Sequence, residues 1–155
     1  MTDLHDLLSA DAVLERETAG TRKMLFQHLG SVAAKVYGVD AAAATETLAT
    51  REKLGSTGFG RGVATPHGRL PGLSKVCGVF ARLANPIDFA AVDDLPVDIV
   101  FMLLSPPDAG AEHLKALARV SRMLRDASFV DKLRGAGSRD ALVALLMADE
   151  SRDAA

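Results

Sequence analysis

Cys77 is the only cysteine in this chain of 155 residues, so no internal disulfide can staple it. It sits in the apolar run Val76-Cys77-Gly78-Val79-Phe80, which points to a buried, inert thiol rather than a reactive one. No apolar run approaches the length of a membrane span. The first residues, Asp3 and Asp6 among them, lack the charged-then-apolar pattern of a secretion signal. These absences favour the cytoplasm. Charge of one sign is missing as well. The net charge is −2 with no long single-sign block, so nucleic acid is not expected as a ligand, because phosphate backbones are normally met by a basic face. There is no internal repeat, low-complexity linker or composition break, and the length suits one domain, residues 1–155, with one real core.

Several signatures of chemistry are absent too. Gly58-Phe59-Gly60-Arg61-Gly62 is not GxGxxG, and no Lys-Ser/Thr follows the glycines, so nucleotide binding has no support. No pair of His or Cys residues has metal-ligand spacing and carboxylates do not cluster near His67. No Gly-x-Ser-x-Gly marks a nucleophile elbow. Neither a metal nor a cofactor is expected.

What remains is an ordinary soluble composition, 48% apolar and 25% charged, with readable punctuation. Residues 1–12 read as an arm whose Leu4, Leu7 and Leu8 can dock, and Val13–Arg16 as a short strand. Thr21 is a candidate N-cap for a helix with Leu25, Leu29, Val32, Ala33 and Val36 at helical spacing, ended by Gly38. Asp40 caps an alanine-rich helix to Lys53, stopped by Gly55. Ser74–Leu83 reads as a strand and Asn85-Pro86 as a turn. Asp98–Ser105 is a continuous apolar run, as in a central strand buried on both faces. Pro106-Pro107-Asp108 breaks it, and Asp108 is a candidate N-cap for a helix to about Arg125 with Leu114, Leu117, Ala118 and Leu124 on one face. Shorter helices are predicted near Phe129–Arg134 and Ser138–Met147, with a frayed end from Asp149. Strands mixed with helices indicate an α/β fold, a sheet with helices on both faces.

The segment Gly55–Gly68 gathers five glycines ahead of and beside one histidine, His67. Pro66 disfavours αR for Thr65 and so extends the backbone before the ring. A neutral imidazole is nucleophilic near neutral pH and can form a covalent intermediate unaided. Phosphoryl transfer asks mainly for alignment and for donors around the phosphoryl oxygens. Glycines such as Gly58 and Gly68 can supply N–H groups as a nest, and Ser56 and Thr57 can add hydroxyls. The other reading is a structural glycine loop with a surface histidine, in which Ser56 and Thr57 finish the preceding helix. His113 falls in the first turn of its predicted helix, where the dipole favours a neutral ring; it is either a second site group or an exposed histidine. Arg51, spaced with Ala44 and Leu48, reads as inward-facing and in need of an anion, or as snorkelling to solvent. His5 and His28 fit no constellation.

Two stretches, Arg51-Glu-Lys-Leu-Gly-Ser-Thr-Gly-Phe-Gly and Gly62-Val-Ala-Thr-Pro-His-Gly-Arg, resemble the enzyme IIA proteins of the fructose/mannitol phosphotransferase family, closest to their nitrogen-regulatory branch. Pro96-Val-Asp-Ile-Val-Phe-Met-Leu-Leu-Ser-Pro and Glu112-His-Leu-Lys-Ala-Leu match as well, so the likeness covers essentially the whole chain. Thr65 stands where members often carry an aliphatic residue. The resemblance implies a mixed β-sheet flanked by helices, and a phosphotransferase working through a phosphohistidine. His67 matches the histidine phosphorylated at Nε2 by a phosphorylated histidine phosphocarrier protein; His113 matches the second active-site histidine, and Arg51 an arginine beside the site. Nitrogen-regulatory members are stand-alone regulators whose partners include potassium-transport and sensor-kinase proteins. Two alternatives stay open: a sugar-specific enzyme IIA passing phosphate to a permease, and an interaction module that is never phosphorylated. Donor docking is expected around Phe59, Leu70 and Leu73.

Overall fold

The computed structural model describes residues 4–154, with the backbone alone from Asp149 onward. Asp3, part of the N-terminal reading, lies outside this range. The elements in chain order are α1 (Leu4–Leu7), β1 (Leu8–Glu17), α2 (Arg22–Tyr37), α3 (Ala41–Lys53), β2 (Gly58–Gly60), β3 (Val63–Ala64), β4 (His67–Arg69), β5 (Cys77–Ile87), β6 (Val97–Ser105), α4 (Ala111–Arg125), α5 (Ala127–Gly135) and α6 (Arg139–Ala154).

The sheet runs β1-β5-β6-β3-β2, and β4 also pairs with β6. β5 lies antiparallel to β6, whereas β3 and β4 lie parallel to it, so the sheet is mixed. β6 is buried at every position but the half-buried Asp98, as a continuous apolar strand must be when helices cover both faces. Helices α2 and α3 pack as one pair and α4, α5 and α6 pack in succession. Phe80 and Phe101 meet edge to face inside, with centroids 6.3 Å apart. Cys77 is buried there, and burial pushes its thiol up to about 12, in keeping with an inert group. No helix among the described residues is long and apolar enough to cross a membrane.

The helix punctuation works as chemistry predicts. Thr21 accepts from the Met24 amide, Asp40 accepts from the Ala43 amide at 2.8 Å, and Gly38 closes α2 at φ 77°. Other expectations need correction. β1 starts at Leu8 rather than Val13, and Leu4 and Leu7 form a single turn docked in the core. Asn85-Pro86 is not a turn; β5 continues through it to Ile87 with a break in register after Arg82, the kind of irregularity at which a strand tolerates proline. Asp108 does not cap α4. Gly110 occupies that position with no side-chain bond, while Pro106, Ala109 and Glu112 form the lead-in turns. The last helix does not stop near Met147 but runs to Ala154.

Candidate functional site

The site begins with one interruption. β3 and β4 lie end to end along the same edge of β6, with Val63 and Ala64 opposite Ile99 and Val100, and His67 to Arg69 opposite Leu103 to Ser105. Thr65-Pro66 separates the two short strands. Proline has no N–H to give the ladder, but its carbonyl still takes the Leu103 amide at 3.0 Å. The detour hands the chain back to the sheet at His67, near the carboxyl ends of the parallel strands, where open α/β sheets place their ligands.

The imidazole is half-buried, and its Nδ1 lies 2.8 Å from the Thr65 carbonyl. A carbonyl can only accept, so Nδ1 carries the proton and Nε2 keeps its lone pair free. Burial holds His67 below the ordinary imidazole range. The Thr65 bond opposes that shift, the Arg51 charge reinforces it, and the Glu52 charge opposes it.

His113 reaches the same place from α4. Its ring centroid is 5.6 Å from that of His67, and its Nδ1 sits 2.6 Å from the Ser105 hydroxyl at the end of β6. It is buried, 7% exposed, and burial, then the charges of Arg69 and His67, hold it below the usual range. The predicted face of α4 was misplaced: the buried side is His113, Ala116, Val120, Met123 and Leu124, while Leu114 stands 64% exposed.

Arg51 and Arg69 join the two histidines in one open cleft of about 650 Å³, whose lining includes Thr47, Thr50, Leu54 and Gly68, with the Glu46 carboxylate beside them. Arg51 is half-buried and donates to the Gly55 carbonyl at 2.9 Å. Glu52, not Arg51, continues the buried stripe of Ala44 and Leu48, because it falls eight residues after the first and four after the second. Arg69 is exposed and reaches the Pro107 carbonyl at 3.4 Å.

His67, His113, Arg51 and Gly68 are thus brought together; Ser56, Thr57 and Gly58 are not among the cleft residues. The Ser56 hydroxyl donates to the Phe89 carbonyl and accepts from the Gly58 amide, and Thr57 is bound to Glu52 through both amide and hydroxyl. Gly58 is packed so tightly that an added Cβ would lie 2.9 Å from that of Ala91. Most of the glycines therefore serve the β2–β3 turn rather than ringing the imidazole. Gly60 and Gly62 bend it at φ 116° and 81°. The apolar rim also differs from expectation. Leu70 is 3% exposed, and Phe59 packs against the Arg125 guanidinium, whereas Leu54 stands 82% exposed in the cleft. Sequence reading missed Arg69, Thr47, Thr50 and Ser105 as site residues. Only Arg69 had a local signal, its place two residues after His67.

A family model described as phosphoenolpyruvate-dependent sugar phosphotransferase system, EIIA 2, matches residues 6–148. The chain is 48% identical over 141 residues to a nitrogen regulatory protein of Bradyrhizobium diazoefficiens, covering 91% of this chain and 92% of that one. It is 38% identical over 148 residues to a nitrogen regulatory protein of Pseudomonas aeruginosa, covering 95% and 96%. Among solved structures, the nitrogen regulatory protein IIA-Ntr of Neisseria meningitidis superposes with a TM-score of 0.86 at 34% identity, covering 92% of this chain and 98% of that one.

Proposed function

We propose, given that this chain belongs to the EIIA 2 family of the phosphoenolpyruvate-dependent sugar phosphotransferase system, that it is a cytoplasmic phosphocarrier and regulator of the nitrogen-regulatory type, charged on His67. The observation that carries this reading is the free Nε2 of His67, set by the bond from Nδ1 to the Thr65 carbonyl. A phosphorylated histidine phosphocarrier protein presents its phosphoryl group to the cleft. The Nε2 lone pair forms the new N–P bond as the donor's N–P bond breaks, and the donor imidazole leaves with that electron pair. Arg51 and Arg69 are the cations at hand for the phosphoryl oxygens, and Gly68 offers the close backbone approach. The neutral His113 ring, held by Ser105, backs the reacting ring. Leu54, exposed in the cleft, is an apolar contact for the donor.

The acquired charge, about −1.5 to −2, changes the field of this face and so the affinity for regulated partners, potassium-transport or sensor-kinase proteins among them. The sequence similarity to nitrogen regulatory proteins supports this reading over sugar delivery to a permease. The test is intact mass after incubation with phosphoenolpyruvate and the upstream carrier proteins. One phosphate is gained by the wild type and none by His67→Ala. A chain that gains none under any condition is instead an unphosphorylated interaction module.

A further inference from the structure

Glu52 is a buried carboxylate with an unusual number of donors. Its side chain is 3% exposed. It accepts the Thr57 amide at 3.1 and 3.2 Å, the Thr57 hydroxyl, and the Arg22 guanidinium at 3.2 Å. Arg22 offsets the burial of that charge and is itself seated on the Phe89 carbonyl at 2.9 Å and over the Phe89 ring. Both of its oxygens are engaged, Oε1 by Thr57 alone and Oε2 by Thr57 and Arg22.

Two routes lead from Thr57 to the cleft, one through hydrogen bonds and one along the chain. In the first, the Thr57 carbonyl takes the Thr65 amide at 3.0 Å, and the Thr65 carbonyl takes Nδ1 of His67 at 2.8 Å. In the second, Gly55, two residues before Thr57, offers its carbonyl to Arg51. The Gly55 amide is held by the Glu52 main-chain carbonyl at 3.1 Å, and no atom lies within 4 Å of where a Gly55 side chain would start.

We infer that Glu52 is the positioning residue of the site: by clamping Thr57 it aims the His67 ring through Thr65 and the Arg51 guanidinium through Gly55. It touches no reacting atom. The inference rests on His67 as phosphoryl acceptor, and it predicts a loss of alignment rather than of donor binding.

The test compares Glu52→Gln and Thr57→Val with the wild type and with the conservative Thr57→Ser, each checked for cooperative melting. Phosphate uptake is followed by intact mass against increasing phosphorylated donor protein, and separately with phosphoramidate, a small donor that needs no docking surface. The limiting rate falls about tenfold in Glu52→Gln and Thr57→Val with both donors, while half-saturation by the protein donor shifts less than about twofold. Thr57→Ser recovers most of the rate. In ¹⁵N spectra the His67 ring, nearly all in the Nδ1–H tautomer in the wild type, becomes a mixture in the two damaged variants. Wild-type rates with an unchanged tautomer overturn the inference, and so does a Thr57→Ser variant as slow as Thr57→Val. Should one damaged variant fail to melt cooperatively, the other decides. A wild-type chain that takes phosphate from neither donor sinks the acceptor reading, and the tautomer measurement then decides the role of Glu52 alone.

Discussion

His67 has one ring nitrogen committed and the other free, and that asymmetry sets its pH behaviour. Burial holds both His67 and His113 below the ordinary imidazole value, which is about 6.5. The nucleophile is therefore neutral through the physiological range, and phosphate uptake keeps its plateau on acidification until the pH has fallen below about 6.5. The measurement is the uptake rate against pH with a small donor; a half-point above that value contradicts the burial argument. The same shifts act on stability. Between the folded and unfolded pKa values the unfolded chain binds more protons, so stability is full above the unfolded value and is lost as the pH falls toward the folded ones. Urea midpoints from about pH 7.5 down to about pH 5 decline for the wild type, and less steeply for His67→Gln/His113→Gln.

At the level of elements, α3 and β4 are pressed together at the cleft. A Cβ on Gly68 would lie 2.4 Å from Cγ2 of Thr47. Gly68→Ala therefore pushes the helix from the strand, costing about 1–3 kcal/mol in urea unfolding, and it slows phosphate uptake by displacing Arg51. Adding Thr47→Ala removes the offending methyl and restores most of the stability. A double variant no better than the single one sinks the argument. The start of α3 gives a separate check: Asp40→Ala removes a cap bond of 2.8 Å, at a cost of about 1 kcal/mol in the same assay. Asp40 is not among the cleft residues, and uptake by the folded protein is expected to stay intact. Leu54 at the other end of α3 does the reverse. It is 82% exposed, so Leu54→Ser leaves stability within about 0.5 kcal/mol and raises the protein-donor concentration needed for half-saturation, while the rate with a small donor stays unchanged.

Across the whole molecule, β6 is the strand that everything else is built against. It pairs with β5 on one edge and with β3 and β4 on the other, and it ends at Ser105 beside His113. Amide exchange in β6 is expected to track global unfolding, whereas β2 at the end of the sheet opens by cheaper local motions. Exchange rates in β6 well above the limit set by the denaturation free energy contradict this layering. The arrangement divides the labour of the site. The central strand carries Ser105 and, paired along its edge, β4 with His67 and Arg69, while α3 carries Arg51 and ends at the exposed Leu54.

The sequence alone determined what depends on neighbours along the chain. Thr21, Asp40 and Gly38 act within one turn of themselves, so capping chemistry identified them. The apolar run of β6 announces double-sided burial by its composition. The Pro66-His67 pair with its flanking glycines carried the family likeness, and the α/β class followed from alternating elements. The tertiary structure decided what depends on residues far apart in the chain. It turned Ser56 and Thr57 away from the cleft, because the buried Glu52 and the Phe89 carbonyl need their donors. It made Asn85-Pro86 part of a strand, since β5 resumes its pairing with β6 just beyond, at Ile87 opposite Val97. It brought His113 and Ser105 to His67, because the β4–β6 register and the end of β6 meet the first turn of α4 only after the sheet has closed. A side chain's neighbours along the sequence are given by covalent geometry, whereas its neighbours in space are set by the packing of the whole chain.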